Sequence, residues 1–135
     1  METFEIPEAM VADMVAHAQA EYPSECCGVI GGDGDGPRKL FRLRNVDPDP
    51  VMRYAADPKE LKRATDDIYD ADWEIVCIYH SHTHSPAFPS PTDVERALYP
   101  EAVYALVTLQ DRQNPELRAF RIVEGTITEL KVVRT

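Results

Sequence analysis

Apolar residues along this chain fall into helical and strand-like spacings that alternate, which predicts a sheet interleaved with helices. Met10, Val11, Met14, Val15 and Ala18 recur at three-and-four spacing, the stripe of a helix that packs by one face. Pro7 suits its first position and Pro23 ends it, so the helix runs from near Pro7 to near Glu21. Glu25-Cys26-Cys27-Gly28-Val29-Ile30-Gly31-Gly32 follows as a short apolar strand, and Gly32 to Pro37 is a turn. Leu40 to Leu43 alternates apolar with basic residues and reads as the hairpin partner.

A Pro- and Asp-rich loop, Asn45 to Pro50, precedes an extended piece around Met52 to Ala55. Asp57-Pro58 then caps and starts a helix from Lys59 to near Asp70. Trp73 to Tyr79 is a β-branched apolar run, a buried strand. Ser90-Pro91-Thr92-Asp93 opens a helix through about Tyr99. Val103 to Leu109, Leu117 to Val123 and Thr126 to Val133 close the chain as strands, the last two joined at Glu124-Gly125. About six strands and three helices make an α/β or α+β domain with a mixed sheet.

Its 135 residues suit one domain, 1–135, with a single core. No apolar run approaches the roughly 18 residues of a membrane span. The opening Met-Glu-Thr-Phe-Glu-Ile-Pro lacks the basic and apolar parts of an export signal, so a cytoplasmic location is expected. Cys26, Cys27 and Cys77 are odd in number and form no disulfide framework or Cys-x-x-Cys metal pair. A net charge of −10 disfavours binding to nucleic acid.

The densest chemistry lies in His80-Ser-His-Thr-His-Ser-Pro-Ala-Phe-Pro-Ser-Pro-Thr-Asp93. Side chains of a strand alternate faces, so His80 and His82 project from one side where the strand ends. Two imidazoles and a carboxylate suit zinc, with a fourth position left for water. The pair also fits ordinary polar residues where a strand leaves the core. His84 shares their parity, but the chain turns before it, leaving it behind the ligands, facing substrate or simply exposed. Ser90 and Asp93 have a structural use that needs no metal, as a capped helix start with proline at its first position. That same cap would hold Asp93 rigidly beside the histidines.

Glu25 is either a solvated acid or a carboxylate at a strand mouth; spacing alone does not bring it to His80. Cys26 and Cys27 fit a buried strand better than a thiol nucleophile paired with histidine.

Glu25 in Pro-x-Glu-x-Cys-Gly, His80-x-His82, then seven residues, Ser90, two residues and Asp93 resembles the JAMM (MPN-plus) metalloprotease motif. The resemblance extends over most of the chain and implies a single MPN domain with a cytidine-deaminase-like sheet. It implies that His80, His82 and Asp93 bind Zn²⁺, that Glu25 hydrogen-bonds the zinc water, and that Ser90 stabilises the oxyanion. Members cleave amide or isopeptide bonds after the glycine-rich tail of ubiquitin-like proteins. Thr83 stands where many eukaryotic members have proline, and the short chain leaves no room for loops that select ubiquitin linkages. It looks more like bacterial stand-alone forms, some of which release cysteine from the Gly-Gly terminus of a sulfur-carrier protein. The partner implied is therefore a small ubiquitin-like or sulfur-carrier protein. A non-catalytic MPN scaffold is the alternative, although scaffold members typically lack the metal ligands present here.

Overall fold

The apolar runs assemble into one seven-stranded mixed sheet in the computed structural model, which describes residues 1–135. In chain order the elements are β1 (Thr3–Ile6), α1 (Glu8–Glu21), β2 (Cys27–Asp33), β3 (Gly36–Leu43), α2 (Pro58–Asp70), β4 (Glu74–His82), α3 (Pro91–Glu95), β5 (Val103–Thr108), β6 (Glu116–Val123) and β7 (Thr126–Arg134). Across the sheet the order is β1-β7-β6-β5-β4-β2-β3. The β4–β5 and β1–β7 pairs are parallel and the others antiparallel.

Strand alternation sorts the buried residues onto two faces. Val103, Ala105 and Val107 of β5 join Val11, Met14 and Ala18 of α1 in one core. Tyr104 and Leu106 join Ala64 and Ile68 of α2 in the other. The α1 stripe thus packs as its spacing predicts. Asp57 caps α2 by accepting from the Lys59 and Glu60 N–H groups, with Pro58 at the first helical position. No helix is long and apolar enough to cross a membrane.

A β-bulge in β4 decides where its histidines point. Ile30 of β2 pairs with Cys77 but Gly31 pairs with Ile75, so Val76 is the extra residue. Ile75 lies in the α2-side core, Cys77 in the α1-side core and Ile78 again on the α2 side. One inserted residue therefore reverses the alternation, and His80 and His82 continue the face of Ile78. Beside the bulge, α2 closes tightly on the sheet. A Cβ at Gly31 would stand 2.6 Å from Ile68 Cγ1, so only glycine admits the helix at this depth.

Four sequence expectations need correction. β1 is a seventh strand, missed because four residues of alternating burial make too short a pattern to read without its partner β7. α3 ends at Glu95, well before Tyr99. Tyr99 precedes Pro100, which disfavours helical backbone, and its N–H donates to the Tyr104 hydroxyl at 3.0 Å. Residues 52–55 form no strand; a lone bridge between Asn45 and Ala56 closes the loop. β4 runs three residues beyond Tyr79, because β2 pairs with it as far as His80 and β5 as far as His82.

Candidate metal centre

Three side chains from two elements converge at the C-terminal end of β4. His80 Nε2 and His82 Nε2 are 3.3 Å apart. Asp93 Oδ2 stands 3.2 Å from the first and 2.9 Å from the second. His80 and His82 are 2% and 4% exposed, so the cluster is closed to bulk water on most sides. The same-side placement expected from strand alternation is what brings the two rings together.

α3 delivers Asp93. Ser90 accepts from the Asp93 N–H at 3.1 Å, and its own N–H donates to Asp93 Oδ2 at 2.9 Å, a reciprocal capping box. The structural and chemical uses of Asp93 therefore coincide in one carboxylate oxygen. Ser90 contributes a lone pair to the cap and keeps its O–H to donate elsewhere.

The protonation pattern points to a cation. His82 Nδ1 lies 2.8 Å from the Pro86 carbonyl, which can only accept, so Nδ1 carries the hydrogen. In the neutral ring Nε2 then holds a bare lone pair, facing a carboxylate oxygen at 2.9 Å. Two lone pairs at that distance repel unless a proton or metal ion sits between them. A tetrahedral zinc with bonds of about 2.0–2.1 Å has ligand atoms about 3.3–3.4 Å apart; the triangle here has edges of 2.9 to 3.3 Å. The donor set and its spacing fit zinc.

The titration shifts agree. Burial lowers the His80 pKa and favours the neutral, ligand-ready ring, against the pull of Asp93. Burial also opposes charge on His82, but the Asp93 and Pro86 hydrogen bonds and the Asp93 and Glu25 charges outweigh it and raise its pKa. Burial works against ionised Asp93, yet its bonds to both histidines hold it well below the usual carboxylate range.

Glu25 stands at the mouth of β2, brought there because Cys27 pairs with His80 across the sheet. Glu25, His82, His84 and Ser90 line a common hollow of about 320 Å³ with Val51 and Met52. Burial pushes the Glu25 carboxyl up to about 8, with the nearby charges of Asp93, Asp47 and Asp49 adding to the rise and His82 opposing it. The buried side-chain atoms without any hydrogen-bond partner are Glu25 Oε1 and His80 Nδ1. Both belong to this centre, and buried polar atoms of this kind normally take a water molecule or an ion as partner.

His84 leaves the strand direction and is exposed on the rim, its Nδ1 2.8 Å from Thr83 Oγ1. Cys26 and Cys27 are buried, and burial pushes both thiols up to about 12. Such thiols are not nucleophiles.

Sequence reasoning missed Tyr54. Its ring stacks on His80, with centroids 4.4 Å apart and an angle of 25°, and so holds a ring whose Nδ1 has no hydrogen bond. Nothing in the local spacing signals this contact, because Tyr54 arrives on a loop.

Comparisons with known proteins agree with this geometry. The family described as prokaryotic homologs of the JAB domain matches residues 7–123. The CysO-cysteine peptidase of Mycobacterium tuberculosis is 42% identical over 122 residues, 89% of this chain and 83% of that protein. A probable TtuB-protein conjugate cleaving protease of Thermus thermophilus is 31% identical over 130 residues, 95% of this chain and 82% of that protein. A protein of Desulfitobacterium hafniense solved in solution superposes with a TM-score of 0.84 at 30% identity, covering 100% of this chain and 93% of that one. With most of its length matched in sequence and fold, the chain belongs to the prokaryotic JAB-domain family.

Proposed function

We propose that this chain is a zinc peptidase that hydrolyses the amide bond after the C-terminal Gly-Gly of a small ubiquitin-like or sulfur-carrier protein. The observation that carries the reading is the convergence of His80 Nε2, His82 Nε2 and Asp93 Oδ2 beside an unpartnered buried carboxyl, Glu25. Further support comes from relatives whose names describe cleavage of a CysO–cysteine bond and of TtuB conjugates. Residues 1–135 serve as a single JAMM/MPN-plus metallopeptidase domain. The cytoplasm is the compartment assigned, in keeping with three free cysteines.

His80, His82 and Asp93 would hold the metal, and Zn²⁺ bound there would supply Lewis acidity toward water and the scissile carbonyl. Two neutral imidazoles and one carboxylate would leave a divalent ion with net positive charge, which would preserve that acidity. Glu25 accepts the proton of the attacking water and passes it to the departing amine nitrogen. Its raised pKa suits a group that must both take and give a proton near neutrality. Ser90 donates its O–H to the oxyanion that forms at the carbonyl. The Pro86 carbonyl orients His82, and Tyr54 orients His80. A glycine tail suits the hollow because it has no side chains to clash with its walls.

The test is mass spectrometry on carrier-protein conjugates ending in Gly-Gly plus one residue, incubated with zinc-loaded protein. The expected product is the carrier shortened to Gly-Gly, and the mass lost identifies the leaving group. A protein that binds no zinc and leaves every conjugate intact is a scaffold instead.

A further inference from the structure

The loop between β3 and α2, residues 45–57, supplies Tyr54 against His80 but no group to the proton transfers above, yet it is tied to both sides of the centre. β2 begins at Cys27, so Glu25 lies before the strand's ladder and takes no backbone bond from it. The loop takes over. The Glu25 N–H donates to the Pro50 carbonyl at 2.7 Å. The Glu25 carbonyl accepts from Asn45 Nδ2 at 3.0 Å. Both backbone polar groups of the buried carboxylate are therefore held by one loop.

Asn45 is also what gives that loop its shape. Its Nδ2 donates to the Arg53 carbonyl at 3.0 Å, and its Oδ1 accepts from the Asp47 and Ala55 N–H groups, each at 3.0 Å. An amide is the side chain that both donates and accepts at this reach. On the far side, the buried Asp47 carboxylate accepts from Arg96 Nη1 at 3.0 Å, and Arg96 is the residue that caps α3 after Glu95. The loop thus spans from the base to the helix that carries Ser90 and Asp93.

We infer that Asn45 is a positioning residue for Glu25, fixing where its carboxyl stands relative to His80, His82 and Asp93. The inference rests on the assignment of Glu25 as proton carrier. Asn45→Asp keeps the shape and the two accepted bonds but loses the bonds donated to the Glu25, Arg53 and Pro50 carbonyls, so it breaks the link to Glu25 while sparing the accepted half of the clasp. Asn45→Ala removes the whole clasp. Leu130→Ala, buried in β7 away from the loop, controls for loss of stability alone.

The experiment uses the full chain with a Gly-Gly conjugate as substrate. Both Asn45 variants should retain about one zinc per chain while kcat falls about 10- to 100-fold, the scale of a small misplacement. KM should stay within about threefold, since the group lost acts on the chemical step. In the metal-free protein, hydrogen exchange at the Glu25 amide should accelerate at least about tenfold, with Ile78 and Leu106 amides still protected. Leu130→Ala should turn over normally per folded molecule and keep the Glu25 amide protected. Asn45→Asp with wild-type kcat, or with an unchanged Glu25 amide, overturns the positioning role. Glu25→Gln with wild-type turnover overturns the assignment of Glu25 as proton carrier and this inference with it, whereas wild-type protein that cleaves no conjugate overturns the peptidase reading. Loss of turnover in Glu25→Gln, with Asn45→Asp unaffected, sinks the positioning role alone.

Discussion

His82 Nε2 faces Asp93 Oδ2 at 2.9 Å while the Pro86 carbonyl fixes the ring hydrogen on Nδ1. Two lone pairs so placed favour a positive charge between them, a proton or a metal ion. The contact also ties the two residues into one unit, because the same Asp93 oxygen closes the cap of α3.

Freshly purified protein should therefore carry about one zinc per chain. His82→Ala or Asp93→Asn should release it, read by metal analysis after dialysis, and should lower turnover by more than about 10³-fold. Zinc should raise the melting temperature of the wild type in a concentration-dependent way and leave that of His82→Ala unchanged. Equal thermal shifts in both proteins would place the metal elsewhere.

Glu25 makes a prediction about pH. Its folded pKa, about 8, lies above the value of 4.5 for a free carboxyl. A group raised in the folded state binds protons more tightly there. Its contribution to stability is complete below about pH 4.5 and is lost as pH rises through about 8. Metal-free wild type should thus fall behind metal-free Glu25→Gln by a few kcal/mol across that window, measured by denaturant melts at several pH values. Zinc should shrink the difference, because a nearby cation favours the ionised carboxyl. A difference independent of pH would mean that Glu25 is solvated, and one that grew toward acid pH would mean that the fold stabilises its ionised form. Glu25→Gln should also keep zinc and lose turnover.

Ser90 acts in two ways that can be separated. Ser90→Ala removes the cap acceptor for the Asp93 N–H, costing about 1 kcal/mol of stability. It also removes the oxyanion donor, and kcat should fall about 10²- to 10³-fold with zinc retained. Ser90→Thr keeps a hydroxyl and should recover much of the stability. A Ser90→Ala protein whose turnover drops only as far as its stability requires would limit Ser90 to the cap.

The parts of this centre differ in how openly the chain displays them. His80 and His82 were legible because strand parity puts alternate residues on one face, and Ser90 and Asp93 because a capping box has a local residue code. The face those histidines occupy was not legible, since it depends on the bulge at Val76, which appears only when β2 pairs with β4. Glu25 reaches the site through the same antiparallel pairing, between segments more than fifty residues apart, which no local pattern records. The sequence extends the helix after Ser90 too far because its polar and apolar residues suit a helix, while the chain closes it at Arg96, and Pro100 and the Tyr104 hydroxyl hold Tyr99 outside it. Tyr54 and Asn45 act through a stacked ring and through backbone carbonyls, contacts with no periodicity. The family resemblance therefore extended what spacing could establish, above all at Glu25.

Cys27 offers the sharpest test of metal against thiol chemistry. It is 1% exposed, its Sγ lies 3.7 Å from the Leu43 carbonyl, and burial pushes the thiol up to about 12. At neutral pH essentially none of it is thiolate, so it cannot attack a carbonyl at a useful rate. Cys27→Ser should cost about 1–3 kcal/mol, because a hydroxyl replaces an apolar group in a dry place. Turnover per folded molecule should stay within about twofold of wild type, and alkylating reagents should leave the native enzyme active. Zinc removal by a chelator should abolish activity in both proteins and added zinc should restore it. Loss of turnover in Cys27→Ser with zinc bound and the fold intact would transfer the nucleophile's role from water to sulfur.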